Sequence, residues 1–410
     1  VCPLIEANRI IRPVMTDREV FFRHVAQTSS HPIGLEVDRA SGSYVYTVDG
    51  KRYLDFISGI CVANVGHAHP DVIRAVIDQA HKYLHVMVYG EYIQAPQARL
   101  AARLAGLLPG ALSVVYFTNS GTEANEGALK VAKKYTGRKK LVGFEGSFHG
   151  DSQGSCSVTG REVYRKPFEP LLPDVTFLPF DRIDPLRRID ERVAAVIVEP
   201  IQGEGGIRIP ARVFLSTLRR RCSAVGALLI FDEVQTGFGR TGRLFAFEHF
   251  GVVPDILTLA KGMGGGMPLG AFVGGPEIMK TLSENPPLSH VTTFGGHPVS
   301  CAAGLASLEL IVKERLAERG ADLGEKIQER LREIGAKSGL MKEVRGKGMM
   351  IGLELADGAT TERFVRQALE RGLILGWTLH SNTVVRIAPP LTLSDSEMEE
   401  GLAIIEAALR

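Results

Sequence analysis

The chain has 410 residues, too many for one ordinary core, and its 45% hydrophobic and 23% charged content is that of a soluble globular protein. Its 48 basic and 46 acidic side chains leave a formal net charge of +2, which gives no ground for a nucleic-acid or membrane surface. The cysteines (Cys2, Cys61, Cys156, Cys222 and Cys301) are odd in number and lack CxxC spacing, so a disulfide framework or zinc site is not expected and a reducing, cytoplasmic compartment is.

The first stretch, Val1 to Val14, carries charges and prolines without an apolar run, so it does not read as a signal peptide. A helix is expected over 18–28. Tyr44–Tyr46 and Tyr53–Phe56 flank Asp49-Gly50, a hairpin signal. Short apolar runs then follow at Val114–Thr118, Lys140–Phe144, Ala194–Val198, Ala227–Phe231 and Ile256–Leu259 and read as buried strands. Helices are expected at 122–136, 211–224 and 299–318. This alternation implies an α/β domain around a mostly parallel sheet. Past residue 320 a charged helix (321–337), a strand (Met349–Glu354), a helix (361–371) and a strand (Thr383–Ile387) suggest a smaller α+β domain. The expected division is an N-terminal segment over 1–65 packing with the small domain, a large domain over 66–320, and a C-terminal small domain over 321–410.

Polar residues stand where these runs stop, and in open α/β sheets the carboxyl ends of the strands form the ligand crevice. The first such set is Thr118-Asn119-Ser120-Gly121-Thr122, between a strand and a helix. A helix N-terminus offers free N–H groups and a positive dipole end, which suits a phosphate, although Ser and Thr also serve as ordinary N-caps. Asp232 ends an apolar strand, where a buried carboxylate needs a partner such as a protonated ring nitrogen, a helix N-terminus or a cation. Lys261 sits between a strand and the run Gly262-Met263-Gly264-Gly265-Gly266, where an amine can reach into a crevice. Desolvation lowers an amine's pKa and exposes its lone pair. Anchor, ring partner and amine are the three functions that pyridoxal phosphate requires.

The motifs Phe117-Thr118-Asn119-Ser120-Gly121-Thr122-Glu123-Ala124, Phe148-His149-Gly150, Glu199-Pro200-Ile201-Gln202-Gly203-Glu204-Gly205-Gly206, Asp232-Glu233-Val234-Gln235-Thr236-Gly237 and Thr293-Phe294-Gly295-Gly296 resemble those of class III (omega-type) aminotransferases. The similarity runs over about residues 20–405 in matching order. It implies the fold type I architecture of pyridoxal phosphate enzymes and a homodimer with active sites at the subunit interface. By position, Ser120, Gly121 and Thr122 would hold the phosphate, and Thr293 would reach the phosphate of the neighbouring subunit's cofactor. Phe148 would stack on the pyridine ring, with His149 beside it in the same motif. Asp232 would pair with the ring nitrogen and Gln235 with the ring oxygen. Lys261 would form the Schiff base and carry the proton.

The resemblance is nearest to acetylornithine and ornithine aminotransferases. Glu204 and Arg386 match a pair in which the arginine binds an α-carboxylate and the glutamate masks it when a terminal amine reacts. Three positions depart from that branch. Asp151 stands where a carboxylate-binding arginine is usual, and an acid there would repel a carboxylate or attract an amine. Ile60 stands where ornithine enzymes have a tyrosine, although acetylornithine enzymes also have an aliphatic residue there, and His297 replaces an asparagine. The expected activity is therefore transfer of an amino group from a terminal amine or ω-amino acid to a 2-oxo acid. The alternatives are acetylornithine or ornithine transamination proper, or an aminomutase or decarboxylase reaction on the same scaffold. A binding protein with a vestigial site is disfavoured by the presence of Lys261, Asp232 and the phosphate loop together.

Overall fold

The computed structural model describes residues 15–410, so the reading of Val1 to Val14 lies outside the described residues. The chain opens with a helix at Asp17–His24, shorter than expected, closed at its start by a reciprocal capping box between Thr16 and Glu19. Strands β1 (Val37–Ser41), β2 (Tyr44–Thr47) and β3 (Arg52–Asp55) follow as an antiparallel meander. The Asp49-Gly50 turn joins β2 to β3 as expected, with Gly50 at φ 80, a conformation open to glycine.

The central sheet has seven strands: β4 (Val114–Thr118), β5 (Lys140–Phe144), β6 (Val175–Leu178), β7 (Val193–Val198), β8 (Leu228–Asp232), β9 (Ile256–Leu259) and β10 (Gly270–Gly274). Their order across the sheet is β4-β10-β9-β8-β7-β5-β6. Every residue of β7 and β8 is buried, as continuous apolar runs require when helices cover both faces of a parallel sheet. The helices Gly121–Thr136 and Arg212–Val225 lie within a residue of their expected ranges and end on left-handed glycines, Gly137 and Gly226.

Strand β10 runs antiparallel to both its neighbours and is not among the strands expected from the sequence. It wedges between β4 and β9, so the phosphate-loop candidate and Lys261 stand two strands apart rather than side by side. Gly270 makes this possible: a Cβ there would lie 2.5 Å from the Ser120 carbonyl oxygen.

The two helices expected over 299–318 and 321–337 are present as Pro298–Lys313 and Leu316–Ser338, but the break falls earlier than expected, at Arg315, which takes a left-handed φ of 52. Nothing in the local sequence marks the break, since neither Gly nor Pro stands there. Burial of Leu316 and Ala317 in the second helix offsets the roughly 1–2 kcal/mol cost of a left-handed arginine. Beyond it, β11 (Met341–Lys347), β12 (Met350–Leu355), β14 (Gly376–Trp377) and β15 (Val384–Ile387) form an antiparallel sheet in the order β11-β12-β15-β14. Strand β13 (Leu373–Ile374) instead crosses to the N-terminal meander and pairs in parallel with β3. Tyr44 reinforces that join by donating to Glu400 at 2.8 Å.

Candidate active site

Six elements converge on a cavity of about 500 Å³ at the carboxyl ends of the central strands. Its lining includes Ser120, Gly121, Thr122, Phe148, His149, Asp151, Glu204, Asp232, Gln235 and Lys261. Ten of the expected site residues therefore meet in one space, although they span more than a hundred positions of sequence.

The helix Gly121–Thr136 points its N-terminus into this cavity. Ser120 is its N-cap, and its hydroxyl accepts from the Glu123 N–H at 3.3 Å. The first N–H groups of a helix have no intrahelical acceptor, so those of Gly121 and Thr122 remain for an anion. Ser120 caps the helix and also lines the cavity. Gly150, at φ 118, lets its own segment pass against Thr122, where any Cβ would collide.

Asp232 ends β8, 4% exposed, and is held from three sides. Its Oδ2 accepts from Asn125 Nδ2 at 2.8 Å and lies 2.7 Å from His149 Nδ1, while Oδ1 accepts from the Val234 N–H at 3.0 Å. Asn125 is fixed in turn, because its Oδ1 accepts from Thr258 Oγ1 at 2.7 Å. Sequence reasoning missed Asn125 and Thr258. Their signal was available: each is a lone polar residue on an otherwise apolar buried face, and such groups need partners.

Lys261 follows β9 at a left-handed φ of 50 and opens a tight 3-10 turn, Lys261–Gly264. No hydrogen bond or ion pair engages its side chain among the described residues, and it lines the cavity. Glu199, at the end of β7, also lines the cavity, though no role was expected for it. Its two oxygens accept from the N–H groups of Phe148 (3.0 Å) and Gly203 (2.9 Å), which ties the aromatic segment to the sheet.

Glu204 and Arg386 form a buried ion pair, and Gln235 Nε2 donates to the same Glu204 oxygen at 3.0 Å. The other oxygen accepts from the Leu379 N–H at 2.7 Å. Burial pushes the Glu204 carboxyl up, but the charges of Arg386 and Lys261 and the Leu379 N–H outweigh it and bring the pKa down to about 2. Arg386 lies behind this carboxylate: it is 3% exposed and does not line the cavity, whereas Glu204 and Gln235 do.

Besides Arg386, the expected site residues Ile60 and Thr293 stand outside the cavity, as does His297. Ile60 is 42% exposed, at a left-handed φ of 65. Thr293 is exposed beside Phe294, which is itself 54% exposed. His297 precedes the helix Pro298–Lys313 and stacks on His85 with ring centres 5.6 Å apart. Asp151 lines the cavity with an exposed side chain that takes no hydrogen bond or ion pair among the described residues.

The family model for class III aminotransferases matches residues 25–409. The chain belongs to the class III aminotransferases. It is 40% identical to the acetylornithine aminotransferase of Archaeoglobus fulgidus over 93% of this chain and 97% of that protein. It is 43% identical to the acetylornithine aminotransferase of Methanocaldococcus jannaschii over 87% of this chain and 89% of that one. The crystal structure of a thermostable (S)-enantioselective omega-transaminase from Thermomicrobium roseum superposes with a TM-score of 0.89 at 32% identity, covering 95% of this chain and 96% of the other.

Membership makes this a pyridoxal phosphate enzyme with the fold type I architecture expected of it. The residues of this class III aminotransferase fit that cofactor. The cavity has a helix N-terminus with free N–H groups at one end and an uncommitted lysine beside it. It also holds a buried aspartate whose neighbour, His149, keeps its Nε2 buried without a partner. Among the described residues no helix is long and apolar enough to cross a membrane.

Proposed function

We propose that this aminotransferase moves the terminal amino group of an acetylornithine-like ω-amino donor to a 2-oxo acid in a ping-pong cycle. The observation that carries the reading is the Glu204–Arg386 pair beside Lys261. Masked, the arginine leaves room for a donor whose reacting carbon bears no carboxylate. Unmasked, it offers a planar fork to the α-carboxylate of the 2-oxo acid or of the amino acid formed from it. The names of the relatives support acetylornithine as the donor in preference to a general ω-amine.

Pyridoxal phosphate, when bound, supplies an aldehyde that takes up the amino group and a ring that draws electrons from the carbon losing its proton. Lys261 would hold the cofactor through Nζ and, once free, its amine would take the proton of the donor carbon and deliver it to the carbon on the other side of the transferred nitrogen. Asp232 would face the ring nitrogen and favour its protonated form, with His149 and Asn125 keeping the carboxylate in place. Gly121 and Thr122 would donate to the phosphate, and Phe148 would cover the ring face. In solution we infer a homodimer in which Thr293 reaches the neighbouring site. The exposed Tyr92 and Ile93, which line one groove with Thr292 and Gly295 beside the exposed Phe294, support that pairing, since contiguous apolar surface marks interaction sites.

A second reading, in which the donor carries a distal amine, rests on Asp151, a free carboxylate at the cavity where a carboxylate-bearing donor would want a cation.

The deciding experiment is a panel of acetylornithine, ornithine, 4-aminobutyrate, lysine, putrescine and 1-phenylethylamine against 2-oxoglutarate and pyruvate. A tenfold or greater kcat/KM advantage for acetylornithine with 2-oxoglutarate supports the first reading, and an advantage for putrescine supports the second. Isomerised or decarboxylated products without an oxo product would remove amino transfer altogether.

A further inference from the structure

Glu204 takes its donors from separate elements. Arg386 lies on β15 and Gln235 in the turn after β8, both in the packed interior. The remaining donor, the Leu379 N–H, belongs to the loop 378–383 between β14 and β15. Trp377 before this loop and Leu379 within it are 51% and 44% exposed, whereas Thr378 and His380 are buried. The Thr378 N–H ties the loop to the Val384 carbonyl at 3.0 Å, and beyond Leu379 its contacts are with Tyr164 of the short helix Glu162–Arg165 and with the Phe148 segment.

Tyr164 O–H donates to the Leu379 carbonyl at 2.7 Å. The His380 ring stacks on Tyr164, with centres 5.0 Å apart and planes at 20°, and meets Phe148 edge-on at 5.9 Å. His380 Nδ1 lies 3.1 Å from the Gly146 carbonyl, which can only accept, so this nitrogen carries the proton. The His380 N–H donates to the Glu204 carbonyl at 3.0 Å. Thr378 holds the loop on one side of the Leu379 N–H through the Val384 carbonyl, and Tyr164 and His380 hold it on the other.

We propose that Tyr164 and His380 are positioning residues that hold the loop 378–383 so that the Leu379 N–H keeps Glu204 over Arg386, and so set how readily the arginine is uncovered. This rests on the masking reading given above. Glu204 cannot leave Arg386 without giving up the Leu379 N–H. A firmly pinned loop favours the masked state that a terminal amine needs, and a loosened loop favours the open state that an α-carboxylate needs. The two half-reactions of one enzyme would then respond in opposite directions to one hydroxyl group that touches no substrate.

The test is Tyr164→Phe, which keeps the stacked ring and removes only the O–H, with His380→Phe as a second variant. Each half-reaction is run on the holoenzyme in single turnovers, one with acetylornithine and one with L-glutamate. The expected result is an apparent KM for glutamate lowered about threefold to tenfold, and one for acetylornithine raised by a similar factor, with limiting rates little changed. Equal losses in both half-reactions, or no change in either, overturn the proposal and leave Tyr164 a packing residue. Glu204→Gln separates the two levels of the argument. If it leaves the glutamate-to-acetylornithine ratio unmoved, masking itself is wrong and the latch falls with it. If it moves the ratio while both loop variants do not, only the latch is wrong.

Discussion

His149 Nδ1 lies 2.7 Å from Asp232 Oδ2, and both side chains are buried at the floor of the cavity. The opposite ring nitrogen, Nε2, is buried without a partner. The pair is part of a chain that continues through Asn125 to Thr258, so the carboxylate has almost no freedom to turn.

Asp232→Asn removes the charge and keeps the shape. The expected loss in kcat/KM at saturating cofactor is about 10²–10³-fold, the scale of one preorganised electrostatic group in a dry site. His149→Ala leaves Asp232 still held by Asn125 and Val234, so its loss is roughly tenfold. Steady-state kinetics on both variants checks the order. Equal losses would mean that His149 acts on the cofactor itself and not through Asp232.

Asp151→Arg adds a guanidinium fork at the cavity rim. A charge-assisted bond to a donor carboxylate contributes about 1.5–3 kcal/mol, so the KM for acetylornithine should fall about tenfold or more, and that for putrescine should rise. An unchanged ratio of the two would show that residue 151 does not face the bound donor.

Glu199 couples stability to pH. Burial, opposed by His149 and reinforced by Asp232, pushes its carboxyl from an ordinary 4.5 up to about 7. In the unfolded chain this proton leaves near 4.5, whereas the folded protein keeps it to about 7. Between these values unfolding releases a proton, so stability falls as pH rises through the window and levels off above it. Glu199→Gln, measured by thermal unfolding across pH 4.5 to 8, should flatten the slope by up to about 1.4 kcal/mol per pH unit. A slope identical to that of the parent would place the titration elsewhere; Glu233, also raised to about 7 by burial, is the nearest rival.

Arg240 is fully buried and has no carboxylate partner among the described residues. It donates instead to the carbonyls of Met349 (3.1 Å) and Pro389 (2.6 Å), to Ser58 Oγ (3.1 Å) and to Asn64 Oδ1 (2.5 Å). One side chain thus joins the N-terminal, central and C-terminal parts of the chain. Arg240→Ala leaves these acceptors unpaired beside a large cavity, and the expected destabilisation is about 3–5 kcal/mol by urea unfolding. A loss under about 1 kcal/mol would mean that water replaces the guanidinium.

The motif residues were legible because each marks a strand end with a polar group that an apolar run cannot bury unaided. Ser120, Asp232 and Lys261 follow from that rule, and the hairpin at Asp49-Gly50 follows from turn chemistry. That two helices stand between 299 and 337 was legible, but the place of their break at Arg315 was not, since a left-handed arginine is selected by the burial of Leu316 and Ala317 and by no local preference. Strand β10 was not legible either, because Gly270 is there for close approach to Ser120 rather than for a turn.

The sequence by itself determined the family, the cofactor and the residues that meet in the cavity, because local pattern and motif chemistry are properties of short segments. Only the tertiary structure decided how those residues hold one another. Asn125 beneath Asp232, Glu199 beneath Phe148, and the loop that places the Leu379 N–H on Glu204 join positions from 51 to 175 residues apart. Such pairings depend on sheet order and on which buried polar group lacks a partner, and no short segment carries that information.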